Sequence, residues 1–247
     1  DAMYHYQCYS HANSHKGLYT LSANVTEKVE YARCRIAEFI NAKNQQSIVF
    51  TSGTTESLNL VAYSYIEPQL NAQSNIIISA AEHHANLLPW QRLCKQYGAS
   101  LRVAPLDEEG LVDFAKLVAL VDCNTVLIAL SHSSNVIGKI NPIKKICQFA
   151  RKKKVTTLID GAQAITHGGV NVEDIGCDFY AFSGHKLYGP TGCGVLFCHV
   201  DLLEKMRPYN VGGGAIEKVS YEQSSYLSGP LKFEAGSHNV ASIVGLV

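Results

Sequence analysis

The chain carries no excess charge of either sign: its 247 residues include 21 Lys and Arg against 21 Asp and Glu. Such a balance offers no electrostatic footprint for nucleic acid or an anionic membrane. The basic run Lys152-Lys153-Lys154 follows a helical pattern and reads as a solvated helix end. Long apolar runs are missing too. None approaches the roughly 18 residues of a membrane span, and no secretory leader is recognisable, so a cytoplasmic setting is expected. The eight cysteines (Cys8, Cys34, Cys94, Cys123, Cys147, Cys177, Cys193 and Cys198) form no CxxC pair. Disulfide and zinc frameworks are therefore not expected, and the thiols read as reduced. Internal repeats and low-complexity linkers are absent from the pattern. What is present is 47% hydrophobic and 17% charged residues, enough for one large domain with a sizeable core, or one domain and a small appendage.

Apolar segments of two periods alternate along the chain. Val29, Ala32, Arg33, Ile36, Phe39 and Ile40 recur at helical spacing, predicting a helix over 26–40 with Thr26 as its cap. The spacing predicts further helices over 55–65, 85–97, 113–121, 142–153 and 202–206. Between them lie predicted strands over 47–51, 75–79, 100–104, 126–130, 157–160, 179–183 and 195–198. Strands alternating with helices argue for an α/β fold whose mostly parallel sheet is covered on both faces, a three-layer α/β/α arrangement. Gly212-Gly213-Gly214, leading into the polar stretch 217–229, is expected to be a mobile loop or a domain edge. An apolar helical pattern starts at Asn239.

In an open parallel sheet, ligands bind beyond the carboxyl ends of the strands, so the residues after each predicted strand are the place to seek chemistry. The strand at 179–183 leads into Ser183-Gly184-His185-Lys186, whose amine can form a Schiff base with an aldehyde. Ser52-Gly53-Thr54-Thr55-Glu56 joins a glycine turn to a helix start, and its free amides and hydroxyls suit a phosphate as well as they suit an ordinary cap. Glu82-His83-His84-Ala85-Asn86 supplies an imidazole that can stack on a flat ring or cap a helix. Ser134-Asn135-Val136 places an amide, and Asp160-Gly161-Ala162-Gln163 ends an apolar run in a carboxylate that is costly to bury unless paired. A phosphate-bearing aromatic aldehyde needs all of these: an amine, an acid to keep its ring nitrogen protonated, a flat neighbour, and hydroxyls at a helix start.

These segments, with Phe182 to Gly192 and Phe233-Glu234-Ala235-Gly236, resemble the class V aminotransferase-fold, pyridoxal-phosphate-dependent cysteine desulfurases, nearest their SufS/CsdA-like branch. The resemblance covers essentially the whole chain and implies the large domain of a fold-type I pyridoxal-phosphate enzyme. It implies Lys186 as the cofactor lysine and acid/base at Cα, Asp160 on the pyridine nitrogen and Gln163 on the phenolic oxygen. His83 would stack on the ring and assist proton transfer, and Asn135 would lie near the ring oxygen and the substrate carboxylate. Thr54, Thr55, Ser183 and His185 would hold the phosphate.

The family completes that phosphate site across a homodimer interface with the threonine of Glu-Ala-Gly-Thr-Pro-Asn. Here the stretch reads Glu234-Ala235-Gly236-Ser237-His238-Asn239, so Ser237 keeps the hydroxyl while the proline is lost. Neither the family's persulfide-forming cysteine nor its carboxylate-binding arginine has a match. Residues 1–247 are thus expected to be the cofactor-binding domain, without the family's N-terminal segment and small C-terminal domain. The implied reaction releases sulfur from L-cysteine, gives L-alanine, and feeds iron–sulfur assembly through a SufE-type acceptor. Selenocysteine lyase, cysteine sulfinate desulfinase, another class V enzyme or a noncatalytic interaction scaffold are the alternatives.

Overall fold

The computed structural model describes every residue of the chain except Lys16. Its main sheet contains β1 (Ile48–Thr51), β2 (Asn75–Ser79), β3 (Ser100–Ala104), β4 (Thr125–Ser131), β5 (Thr156–Asp160), β6 (Phe179–Ser183) and β7 (Gly194–Cys198), in the order β1-β7-β6-β5-β4-β2-β3. Pairing is parallel from β3 through β2, β4 and β5 to β6. β7 is antiparallel to both β6 and β1, so β1 again points with the parallel set. The carboxyl ends of six strands therefore share one edge of the sheet.

Around it lie α1 (Ala2–Tyr9), α2 (Thr20–Phe39), α3 (Thr54–Val61), α4 (Leu88–Tyr97), α5 (Phe114–Leu120), α6 (Ile143–Lys153), α7 (Val172–Ile175), α8 (Val200–Lys205) and α9 (Val240–Val244). Successive residues of a strand face opposite sides, so a strand apolar at every position demands cover on both. On β6, Tyr180 and Phe182 enter a core with Val29 of α2, Ile146 of α6 and Val240 of α9. Phe179 and Ala181 enter a second core with Leu58 of α3, Trp90 of α4 and Leu203 of α8. Each large side chain so buried contributes about 1.5–3 kcal/mol of transfer free energy. The two cores fix the strand ends from both faces, producing three layers.

Several boundaries differ from the sequence expectation. α2 begins at Thr20 behind Tyr19, which makes no side-chain cap bond. Thr26 is no cap: it sits inside the helix and its hydroxyl donates to the Ser22 carbonyl at 2.9 Å. The helix expected over 55–65 gives way after Val61 to a wider π turn, Ala62–Ile66, and the one expected over 85–97 is a short 3-10 turn, His84–Asn86, followed by α4. The polar stretch 217–229 is not simply a loop. It contains the antiparallel hairpin β8 (Ile216–Val219) and β9 (Ser224–Tyr226), whose mostly exposed residues leave no hydrophobic alternation to read.

Candidate functional site

The turns beyond these strands surround one pocket of about 250 Å³. Thr54 and Thr55 reach it from beyond β1, His83 from beyond β2, and Ser131, Ser133 and Asn135 from β4 and its following turn. Asp160 and Gln163 come from the end of β5, and Ser183, His185 and Lys186 from the end of β6. Nine of the ten residues singled out from the sequence thus meet in one place. The tenth, Ser237, lines neighbouring clefts beside His238.

The β1 corner is built by close backbone approach. A Cβ on Gly194 would stand 2.3 Å from Gly53 Cα, so the start of β7 must be bare for the Gly53 turn to lie against it. Gly53 leads into α3, and Glu56 accepts a hydrogen bond from the Ser52 amide, closing the turn over the first helical residues. Ser183, at the end of β6, accepts from the Thr54 amide at 2.8 Å and shares a 2.7 Å bond with the Thr54 hydroxyl. Hydroxyls and helix-start amides therefore converge on one corner, which suits a phosphate.

Lys186 stands in the 3-10 turn Gly184–Lys186 at the end of β6. The Leu187 and Gly189 amides both donate to the Gly184 carbonyl, and Tyr188 takes a left-handed φ of 58°, folding the turn back so that the lysine faces the pocket. Asp160 is buried, and its carboxylate accepts one backbone bond, from Ala162 at 2.9 Å. Burial raises its pKa, while the Ala162 amide and the Lys186 charge pull the other way. Among the described residues no cation forms an ion pair with it. A buried carboxylate facing a cavity, with one amide as partner, can hold a protonated ring nitrogen.

Behind Asp160 stands a support that sequence reasoning missed. Gly161 has no room for a Cβ, which would lie 2.1 Å from the Tyr180 ring. The Tyr180 hydroxyl bonds His132 Nδ1 at 2.9 Å, and burial pushes the imidazole pKa down to about 4, so the ring is neutral at physiological pH. Glu82 is a second omission: its carboxylate gathers Ser79, Asn86 and Ser131 immediately beside His83. The Tyr180–His132 and Glu82–Ser131 contacts are tertiary, and no spacing along the chain signals them.

Glu234 and His238 organise the neighbouring cleft. Arg33 and Glu234 form a buried two-point pair at 2.8 and 2.9 Å, and Glu234 also accepts from the Phe50 amide of β1 at 2.7 Å. Burial alone would raise the Glu234 pKa, but Arg33 and His238 outweigh it and hold it at about 2. His238 Nε2 lies 2.7 Å from Glu234, and its Nδ1 lies 2.8 Å from the Ser14 hydroxyl. An ionised Glu234 offers only lone pairs, so Nε2 carries the proton. Glu234 thus ties the 234–239 turn to α2 and β1, and the imidazole of His238 adds the segment around Ser14.

Among the described residues no group of three or more His, Cys, Asp or Glu is placed to hold a metal ion. All eight cysteines are free, and none lines the Lys186 pocket. Among the described residues no helix is long and apolar enough to cross a membrane.

A profile of the aminotransferase class-V family matches residues 1–247. A cysteine desulfurase of Enterobacter sp. (strain 638) is 45% identical over 247 residues, covering 100% of this chain and 61% of the relative. The crystal structure of the cysteine desulfurase CsdA from Escherichia coli, in its S-sulfonic acid form, superposes with a TM-score of 0.92 at 40% identity, over 99% of this chain and 61% of that one. The apo cysteine desulfurase of Thermococcus onnurineus NA1 gives 0.95 at 37% identity, with the same shares. The chain therefore spans about three-fifths of the length of these relatives.

Proposed function

The chain belongs to the aminotransferase class-V family, and from that membership we propose that residues 1–247 are the pyridoxal-phosphate-binding domain of a cysteine desulfurase. The observation that carries the reading is the buried Asp160 carboxylate facing the Lys186 pocket without a counter-ion among the described residues. The donor set fits the cofactor: an amine, a buried acid, and hydroxyls at a helix start. When bound, the cofactor's protonated pyridine withdraws electrons from the substrate Cα. Asp160 would hold a proton at the ring nitrogen, and Gln163 would donate an amide hydrogen bond to the ring oxygen. Thr54, Thr55, Ser183 and His185 would bind the phosphate. Lys186 Nζ would be the group that holds the cofactor aldehyde and carries the Cα proton, His83 would flank the ring, and Asn135 would orient the substrate carboxylate.

The protein that contains this domain is proposed to act in the cytoplasm as a homodimer, with Ser237 completing the phosphate site of the second copy. L-cysteine is its proposed substrate and a SufE-type protein its sulfur acceptor, supplying iron–sulfur cluster assembly. None of the eight cysteines present lines the Lys186 pocket, and the sulfur-accepting cysteine is proposed to be none of them. Cys94, Cys147, Cys177, Cys193 and Cys198 are buried, and burial raises the pKa of each, which disfavours the nucleophilic thiolate.

Adding pyridoxal phosphate is expected to give a yellow absorbance in the wild type and none in Lys186→Ala. A well-folded wild type without that band would overturn the cofactor assignment. The enzyme containing this domain is expected to release sulfide and alanine from cysteine in preference to acting on selenocysteine or cysteine sulfinate. A preference for either of the latter substrates would replace the desulfurase reading.

A further inference from the structure

Glu82 has no part in the chemistry just proposed, yet its carboxylate collects four donors. Oε1 accepts from the Ser79 hydroxyl at 2.5 Å and the Ser131 amide at 3.0 Å. Oε2 accepts from the Ser131 hydroxyl at 2.6 Å and Asn86 Nδ2 at 2.7 Å. Ser79 ends β2 and Ser131 ends β4, so one side chain joins two neighbouring strands at the edge that carries the pocket. Asn86 continues the chain of bonds, its Oδ1 accepting from Trp90 Nε1 at 3.0 Å. Trp90 is fully buried and is the sole tryptophan in the sequence. His83 lies between these fastenings, its Nδ1 accepting from the Ala85 amide at 3.1 Å, and it lines the same pocket as Ser131.

We infer that Glu82 is a positioning residue: its carboxylate clamps the 82–86 turn to the end of β4 and so fixes the His83 ring at the wall of the cofactor pocket. The inference rests on the pyridoxal-phosphate reading of that pocket. An ionised carboxylate meets all four donors with lone pairs alone; burial raises the Glu82 pKa, and the bonds from Ser131, Ser79 and Asn86 act in the opposite direction. Glutamine would keep the shape but turn its NH₂ toward two of the donors, leaving them unpaired. Aspartate, one methylene shorter, would not reach both strand ends.

The test is a double-mutant cycle of Glu82→Gln and His83→Ala, read by the pyridoxal phosphate dissociation constant and by Trp90 fluorescence without cofactor. Glu82→Gln is expected to weaken binding roughly ten- to a hundredfold, the size of a lost bond to a charged group. His83→Ala should weaken it by a similar factor, and the double variant should be no worse than the weaker single one, because both lose the same ring contact. Glu82→Gln should also shift the Trp90 emission, whereas His83→Ala should leave it in place. Additive losses, or wild-type binding by Glu82→Gln, would overturn the inference. If Glu82→Gln does not fold, Ser79→Ala removes one of the four bonds away from the pocket, and the same non-additivity with His83→Ala is required. A wild type that takes up no pyridoxal phosphate would sink the cofactor reading instead, while the Trp90 shift would still decide whether Glu82 governs the turn.

Discussion

Asp160 and Glu234 are both buried carboxylates, and their surroundings push them in opposite directions. Burial dominates at Asp160 and raises its pKa despite the Lys186 charge, so the ionised form costs stability when no cation pairs with it. The stabilising protonated form is fully present below the ordinary value of 3.8 and is lost as pH rises through the raised folded value. Asp160→Asn is therefore expected to raise the melting temperature of the cofactor-free protein at neutral pH while weakening pyridoxal phosphate binding; thermal melts with and without cofactor check both effects. At Glu234 the Arg33 and His238 partners win. Stability from its lowered pKa is present above the ordinary value of 4.5 and is lost as pH falls toward about 2. Glu234→Gln leaves Arg33 with only Glu30 and the Ile48 carbonyl as partners and should cost about 1.5–3 kcal/mol in urea denaturation at pH 7, with the gap to wild type closing across that acidic window.

At the scale of elements, the Gly53 turn depends on a bare β7. Gly194→Ala would drive a methyl into Gly53, and overpacking of this kind costs about 1–3 kcal/mol. The expected outcome is lower stability together with weaker competition by inorganic phosphate for the cofactor site, measured by denaturation and by displacement titration. Fully buried strands were legible in the sequence: β2 and β6 fall at the expected residues because apolar runs stop abruptly at polar turns. The start of α2 was not, since Tyr19 gives no capping signal, and neither was the exposed hairpin of β8 and β9. The site divides in the same way. Residues at a strand end, such as Lys186 and Asp160, could be placed at the pocket from the sequence. Gly194, Tyr180 and Glu82 owe their importance to partners distant in the chain or to bonds that spacing does not reveal.

For the whole molecule, the proposed division of labour is between a domain that prepares the substrate and a thiol that lies outside these residues. The 247-residue chain is expected to turn yellow with pyridoxal phosphate yet release sulfide from cysteine no faster than the free cofactor does. A sulfide assay on the purified chain measures this, and substantial turnover lost on replacing one of the eight cysteines would assign the nucleophile within the chain. The sheet order also dictates a sequence of events in time. β1 ends at Thr51, and its hydrogen-bonded neighbour in the sheet is β7, which begins at Gly194. The threonines beyond β1 therefore acquire their final setting only after the roughly 140 residues from Thr51 to Gly194 have followed them. A growing chain stalled before β7 has the lysine already but no finished seat for a phosphate, so firm cofactor capture must be a late step of folding rather than its nucleus.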